Sequence, residues 1–249
     1  MCQEPKAMVD FYGQNGEDRV LAKIFPGKSG TCLEVGANDG VHLSNTYHFE
    51  RSGWRCILVE PNQRLCDKIR KVRTATLFEC AASEKAGEAV LHVGTGRDDV
   101  YSSLERSVLP EGGHQYKPIV VPTRTLDAML EEAGVASLEF ASIDVEGHET
   151  QALRGFTLNR WKPRLVLLED NSDMASTEIE NHMRKAKYFR FWRSGSNDWY
   201  ALCGTSRLWL LARTLLSGCF SLRGVLKGNL PRRWMRILVL AKRAAFGWI

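Results

Sequence analysis

Glu34-Val35-Gly36-Ala37-Asn38-Asp39-Gly40 decides how this 249-residue chain folds. The apolar run Thr31–Val35 leads into it, and a helical pattern beginning near Ser44 follows it. A strand, a turn of small residues and a helix make the opening half of a nucleotide-binding α/β unit. The glycines let the backbone come close to a ligand where a Cβ would collide. The acid at Glu34 narrows the ligand. A loop shaped for phosphate avoids a carboxylate because like charges repel. A ligand with a cationic amine and neutral hydroxyls gains from one.

Outward from this loop, apolar runs and helical stretches alternate. The runs are Cys56–Glu60, Thr76–Cys80, Glu139–Ile143 and Arg164–Glu169. Gln63–Val72, Leu126–Ala133, Glu149–Arg154 and Glu178–Lys187 read as helices. Short, continuously apolar runs separated by helices predict a mostly parallel α/β sheet covered on both faces. Tyr188–Trp192 and Trp199–Cys203 read as an antiparallel edge. Gly94–Pro118 is polar and irregular, the composition of a lid or substrate loop.

In such a sheet the ligand lies at the carboxyl ends of the strands. Those ends carry Glu34–Gly40, Glu60-Pro61-Asn62, Cys80-Ala81-Ala82-Ser83, Asp144-Val145-Glu146-Gly147-His148 and Glu169-Asp170-Asn171. A carboxylate at Glu60 suits two ribose hydroxyls. Small residues at Ala81 suit a flat base. None of the five ends offers a phosphate-binding lysine, so S-adenosylmethionine fits better than a nucleotide phosphate. Each residue also has a plainer explanation. Glu146 fits a first-turn acid at a helix dipole, Asp170 and Asn171 fit a turn or cap, and His148 fits an exposed first-turn residue. His42 and His48 are spaced poorly for a metal. A nicotinamide-dependent oxidoreductase would share Glu60, but the first loop lacks GxGxxG. A non-catalytic interaction protein that kept the fold is the other alternative.

The chain resembles the FkbM family of SAM-dependent methyltransferases over roughly 11–172. The likeness rests on Gln14-Asn15-Gly16-Glu17-Asp18, Leu33–Gly40, Ser44-Asn45-Thr46, Val59–Asn62, Arg124–Asp127 and Ile143–Glu149. The resemblance implies a class I methyltransferase fold, Rossmann-like, and O-methylation of a sugar, glycan or natural-product hydroxyl. Carried over by position, Glu34, Gly36, Asn38 and Gly40 line the methionine part of the donor. Glu60 holds the ribose, Ala81 lies near the adenine, and Gln14 closes the pocket. Asp144 lies where methyl transfer opens. His148 is the first choice for general base by its intrinsic pKa, with Glu146 second. Asp144 with Asp170-Asn171 also resembles the magnesium ligands of catechol O-methyltransferase, so a divalent metal enters as an expectation. Tyr101–Leu104, in the long polar segment, is expected to face the acceptor.

The charge is unevenly spread. From Gly204 onward there is no acid and there are nine basic residues; with +5 overall, the remainder carries −4. The division expected is a methyltransferase domain over 1–203 and a basic amphipathic tail over 204–249. In the tail, Arg232–Phe246 puts Trp234, Ile237, Leu238, Ala241 and Ala245 on one side and Arg232, Arg236, Lys242 and Arg243 on the other. Through 205–249 this pattern suits either an anionic membrane surface or packing on the domain. Its Leu and Trp content argues against nucleic acid. Seven dispersed cysteines without a CxxC pair fit a reducing, cytoplasmic setting. No signal peptide or membrane-spanning run is read from the sequence.

Overall fold

The computed structural model describes residues 10–27, 29–95, 102–108, 115–172 and 176–217. In chain order the first elements are α1 (Glu17–Ile24), β1 (Thr31–Val35), α2 (Tyr47–Arg51), β2 (Arg55–Val59), α3 (Gln63–Val72), β3 (Thr76–Phe78) and β4 (Ala81–Ala82). Then come β5 (Gly87–Gly94), β6 (Ser102–Ser103), β7 (Tyr116–Arg124), α4 (Leu126–Glu132), β8 (Phe140–Ile143), α5 (Glu149–Arg154) and α6 (Leu158–Trp161). The last are β9 (Leu165–Glu169), α7 (Thr177–Lys185), β10 (Tyr188–Ser194), β11 (Asn197–Leu202) and α8 (Arg207–Leu216).

Seven strands form the main sheet in the order β10-β11-β9-β8-β1-β2-β3. β3, β2, β1, β8 and β9 run parallel, and β11 joins β9 antiparallel, followed by β10. This is the class I methyltransferase fold. Chain order reverses beside β1, which pairs with β2 on one side and β8 on the other. That reversal opens a crevice at the strands' carboxyl ends.

Side chains of a strand alternate between faces, and the two cores follow from it. Leu33, Val35, Ile57 and Val59 pack with Met129, Leu153 and Met183 on one face. Cys32, Cys56 and Leu58 pack with Leu21, Phe49, Trp54 and Leu210 on the other. Helix starts carry the expected caps. Asn62, Thr125, Ser176 and Ser206 each accept a backbone N–H through the side chain.

Two parts of the sequence reading need correction. The third run stops at Phe78, and the chain re-enters a strand at Ala81–Ala82 in a second sheet, ordered β4-β7-β5-β6. Gly94–Pro118 is not wholly irregular, because its ends belong to β5 and β7, which pair antiparallel from Gly87↔Thr123 to Gly94↔Tyr116. Pro118 and Pro122 lie within β7 and obscure it as a strand. β4 pairs only with Thr123 and Arg124, so Pro118 sits where that edge of β7 makes no ladder and its missing N–H is harmless.

α1 joins α8 on the Cys32 face of the sheet, and Glu17 on α1 accepts Ser194 Oγ at 2.9 Å and Asn197 Nδ2 at 3.2 Å, tying it to the β10–β11 hairpin. α8 lies in the segment read as tail, yet Leu210, Leu211 and Leu215 are buried in the core. Arg207 lies over Phe189, 4.3 Å from the ring centroid. Tyr101 and the amphipathic stretch Arg232–Phe246 lie outside the described residues.

Candidate active site

A cavity of about 480 Å³ opens at the carboxyl ends of β1, β2, β8 and β9, with the small sheet as its far wall. It is lined by Gln14, Glu34, Gly36, Asn38, Glu60, Ala81, Asp144, Glu146 and His148, so residues from five separate stretches of the sequence converge. Ser102, Ser103 and Leu104 line it too, and Leu91 adds an apolar contact from β5 that the sequence reading did not anticipate. Nothing in a half-exposed, glycine-bounded run such as Gly87–Gly94 announces such a contact before the sheet is built.

The first loop turns sharply. Gly36 has φ 81°, and a Cβ there would stand 1.8 Å from the Asp144 carbonyl oxygen. Only glycine permits β1 and β8 to end so close together. Asn38 also adopts a positive φ, 51°, which asparagine tolerates better than most residues. Gly40 does not line the cavity. It lies behind the loop, where a Cβ would meet Ile69 and Arg73 of the α3 end. Its expected role as a donor-lining residue therefore becomes one of loop support.

Glu34 is 5% exposed and its carboxylate is heavily engaged. It accepts Ser44 Oγ at 2.8 Å, Thr46 Oγ1 at 2.5 Å and the Asn45 amide at 2.6 Å. The buried Arg73 guanidinium lies 3.9 Å away and also donates to the Gly40 carbonyl at 2.6 Å. With about four acceptor positions on a carboxylate, one remains on Glu34 Oε1. Its main work is to bind loop 44–46 to β1.

Glu60 has the opposite surroundings. Oε2 accepts the Asn38 amide at 3.0 Å and Oε1 accepts the Asn62 amide at 2.9 Å. Each oxygen keeps a lone pair. Burial, only partly offset by these two amides, pushes its pKa up to about 7. A buried carboxylate short of donors, facing a cavity, fits a ligand that brings two hydroxyls.

The β8 end is acidic. Burial raises the Asp144 pKa well above the usual range, and the Glu169, Glu146 and Glu149 charges add to it. Glu146 is pushed up to about 7 by burial and then by Glu169 and Glu149. Its backbone is in the left-handed region, φ 50°, a conformation a non-glycine residue holds only under constraint. Ser103 Oγ supplies part of that constraint by donating to the Glu146 carbonyl at 2.5 Å. His148 has both ring nitrogens engaged, Nε2 with Ser83 Oγ and Nδ1 with Glu105 Oε1, each at 3.2 Å.

The expected metal trio does not assemble. Asp170 turns its carboxylate to the Ser172 amide at 2.9 Å and to the Ser172 hydroxyl, and it does not line the cavity. Only Asp144 and Asn171 of that set face the ligand space. Its physical reason is register: alternation along β9 places Glu169 toward the cavity and Asp170 in the turn.

Residues 34–191, more than half of the chain, match the methyltransferase FkbM domain. The 2-O-methyltransferase NoeI of Sinorhizobium fredii is 28% identical over 164 residues, covering 61% of this chain and 67% of that protein. Among solved structures, precorrin-6y C5,15-methyltransferase of Geobacter metallireducens has TM-score 0.42 and 12% identity, covering 80% of this chain and 91% of the other. The O-methyltransferase of Bacillus cereus in complex with SAH has TM-score 0.40 and 12% identity, covering 78% and 81%. The domain match spans β1 to β10, including the ends of β1, β2, β8 and β9 that build the cavity, and the chain belongs to the FkbM family of SAM-dependent methyltransferases.

Proposed function

We propose that this enzyme methylates a hydroxyl group, on a sugar, glycan or natural product. The observation that carries the donor half of this reading is Glu60, a buried carboxylate with one open lone pair on each oxygen. Those lone pairs would hold the ribose hydroxyls. Gln14, Gly36, Asn38 and the open position on Glu34 Oε1 would surround the methionine part, and Ala81 the adenine. S-adenosylmethionine supplies an activated methyl on a sulfonium centre.

The chain's own residues then have three tasks. They fix the acceptor oxygen in line behind the methyl, which contributes most of the rate in such a transfer. They exclude water, with Leu91, Leu104 and the small sheet closing the far side. They also take the acceptor's proton as the O–C bond forms and the S–C bond breaks. Glu146 is the residue assigned to the proton, because it lines the cavity and its backbone is held in the left-handed region. His148, the first choice by intrinsic pKa, has neither ring nitrogen uncommitted. It is assigned to positioning, linking Ser83 to Glu105. Asp144 completes the wall beside the transferred methyl.

The hydroxyl acceptor is supported by the 2-O-methyltransferase relative. The experiment is incubation with methyl-labelled donor and a panel of saccharide, glycan and natural-product hydroxyl acceptors, followed by product analysis. Label on oxygen is expected. Label found on nitrogen or carbon instead would overturn the reading.

For the remainder we keep the division into 1–203 and 204–249 as a working boundary, with α8, just past it, packed on the core of the first part. No helix among the described residues is long and apolar enough to cross a membrane. The basic amphipathic pattern supports peripheral attachment to an anionic surface from the cytoplasmic side. Free cysteines at Cys32, Cys56, Cys66, Cys80 and Cys203 agree with a reducing compartment. Flotation of the full chain with anionic and neutral vesicles tests this. Equal recovery with both vesicle types refutes attachment by charge.

A further inference from the structure

We propose that Asp18 and Glu17 are positioning residues for the methyl donor: they hold the segment 12–15 so that Gln14 stands over the methionine part of the bound molecule. The proposal deepens the methyltransferase reading of this cavity and rests on it. Both acids open α1, both are 0% exposed, and neither lines the cavity. Gln14, by contrast, is exposed and lines the cavity, and its side chain has no hydrogen-bond partner among the described residues.

The stretch before α1 pairs with the rest of the chain through a single bridge, Gly13 to Leu43. Its amides therefore need acceptors from elsewhere. The two acids supply them on either side of Gln14. Asp18 Oδ2 accepts the Tyr12 amide at 2.5 Å, and the Gly13 amide also faces that carboxylate. Glu17 Oε2 accepts the Asn15 amide at 2.7 Å, and its Oε1 accepts Asn15 Nδ2 at 3.0 Å. The Gly16 amide closes the turn on the Gly13 carbonyl at 3.1 Å. Bonds to a carboxylate are stronger than those between neutral groups, which suits a strap that has no ladder to hold it. With the backbone fixed at 12, 13, 15 and 16, residue 14 has little freedom between them.

The strap lies between two fixed bodies. A Cβ on Gly13 would stand 2.8 Å from Asn45 Oδ1 and 3.0 Å from Asp18 Oδ1, so the strap presses directly on loop 44–46, which Glu34 binds to β1. On the other side Glu17 is anchored by Ser194 and Asn197 of the β10–β11 hairpin. A side-chain amide held at this place both donates and accepts. It can therefore serve the carboxylate and the ammonium that form the amino-acid end of the donor.

The test is calorimetric binding of S-adenosylhomocysteine and of methylthioadenosine, which keeps the nucleoside but lacks the amino-acid end. The native chain is compared with Asp18→Asn, Glu17→Gln, Gln14→Ala and the two doubles that join Gln14→Ala to each acid change. Every single variant should weaken S-adenosylhomocysteine about tenfold and leave methylthioadenosine within about twofold. In the doubles the loss should stay near that of Gln14→Ala alone, because the acids act through Gln14. This pattern in either acid variant supports the proposal, so a failure of one to fold does not decide the matter. Unchanged S-adenosylhomocysteine affinity in both acid variants would overturn it, as would equal weakening of both ligands in both. Losses that multiply to about a hundredfold in both doubles would also overturn it, since the acids would then act independently of Gln14. Failure of the native chain to bind S-adenosylhomocysteine would instead count against the methyltransferase reading of the cavity, so the two outcomes are separable.

Discussion

Glu34, next to last in β1, has three protein donors on its carboxylate and Arg73 3.9 Å away. Glu60, one residue past the end of neighbouring β2, receives two backbone amides and keeps a lone pair on each oxygen. The two glutamates look alike in sequence, each at the carboxyl end of an apolar run. Their surroundings separate them: one carboxylate holds the protein together, and the other is kept short of partners for a ligand. A buried acid whose acceptor positions are filled contributes to stability, and one whose positions stay open contributes to binding at some cost in stability.

The largest expected effect probes the filled side. Arg73→Leu leaves Glu34 and Glu50 facing a buried gap where a guanidinium was. Denaturant unfolding should show a loss of about 3–5 kcal/mol. A loss under about 1 kcal/mol would mean that the Arg73 network is not a buried lock.

Glu60→Gln probes the open side. S-adenosylhomocysteine affinity, measured by calorimetry, should fall by roughly 1.5–3 kcal/mol, about 10–100-fold. Stability without ligand should change by no more than about 1 kcal/mol. If this variant unfolds as readily as Arg73→Leu, the contrast between the two glutamates collapses.

pH sharpens the same contrast. Glu60 has its pKa raised from 4.5 to about 7 in the folded, ligand-free protein. Between those values the native chain holds a proton that the unfolded chain has released. Its contribution to ligand-free stability therefore falls as pH rises through that window. Ligand hydroxyls favour the carboxylate, so affinity should rise over the same window and level off above about pH 7. Calorimetry at about pH 5.5 and about pH 8 should show the rise in the native protein and a flatter response in Glu60→Gln. Equal pH dependence in both would assign it to other groups.

The smallest effect concerns the wall opposite. Ser103→Ala removes the 2.5 Å bond that holds the Glu146 carbonyl. A stability loss of about 0.5–1.5 kcal/mol is expected, accompanied by a lower methyl-transfer rate with S-adenosylhomocysteine affinity kept. Unchanged turnover would mean that the left-handed turn at Glu146 does not depend on the small sheet.

Much of this architecture was legible without coordinates because it rests on local pattern. Alternation of apolar runs with amphipathic stretches follows from the periods of strand and helix, and the observed β1, α3 and α5 have the boundaries read from the sequence. Gly36 was readable as a close-approach residue, although not that its neighbour would be the Asp144 carbonyl. What sequence alone missed was decided at a distance. β5 and β7 are half-exposed strands, one interrupted by prolines, and only their mutual pairing holds Leu91 of β5 at the cavity. α1 carries two buried acids: Glu17 meets Ser194 and Asn197 of the β10–β11 hairpin, and Asp18 accepts the backbone amide of Tyr12.

The sequence by itself determined that strands end in acids and small residues in a fixed order, because those residues and their spacing are local. Only the tertiary structure decided which acid is spent on the fold and which is left for a ligand. That depends on where Arg73 and loop 44–46 come to rest, and on whether a carboxylate at a strand end meets donors supplied by distant parts of the chain. The same rule turned Asp170 into its own turn and Glu169 toward Asp144, since one step along a strand exchanges the two faces of the sheet.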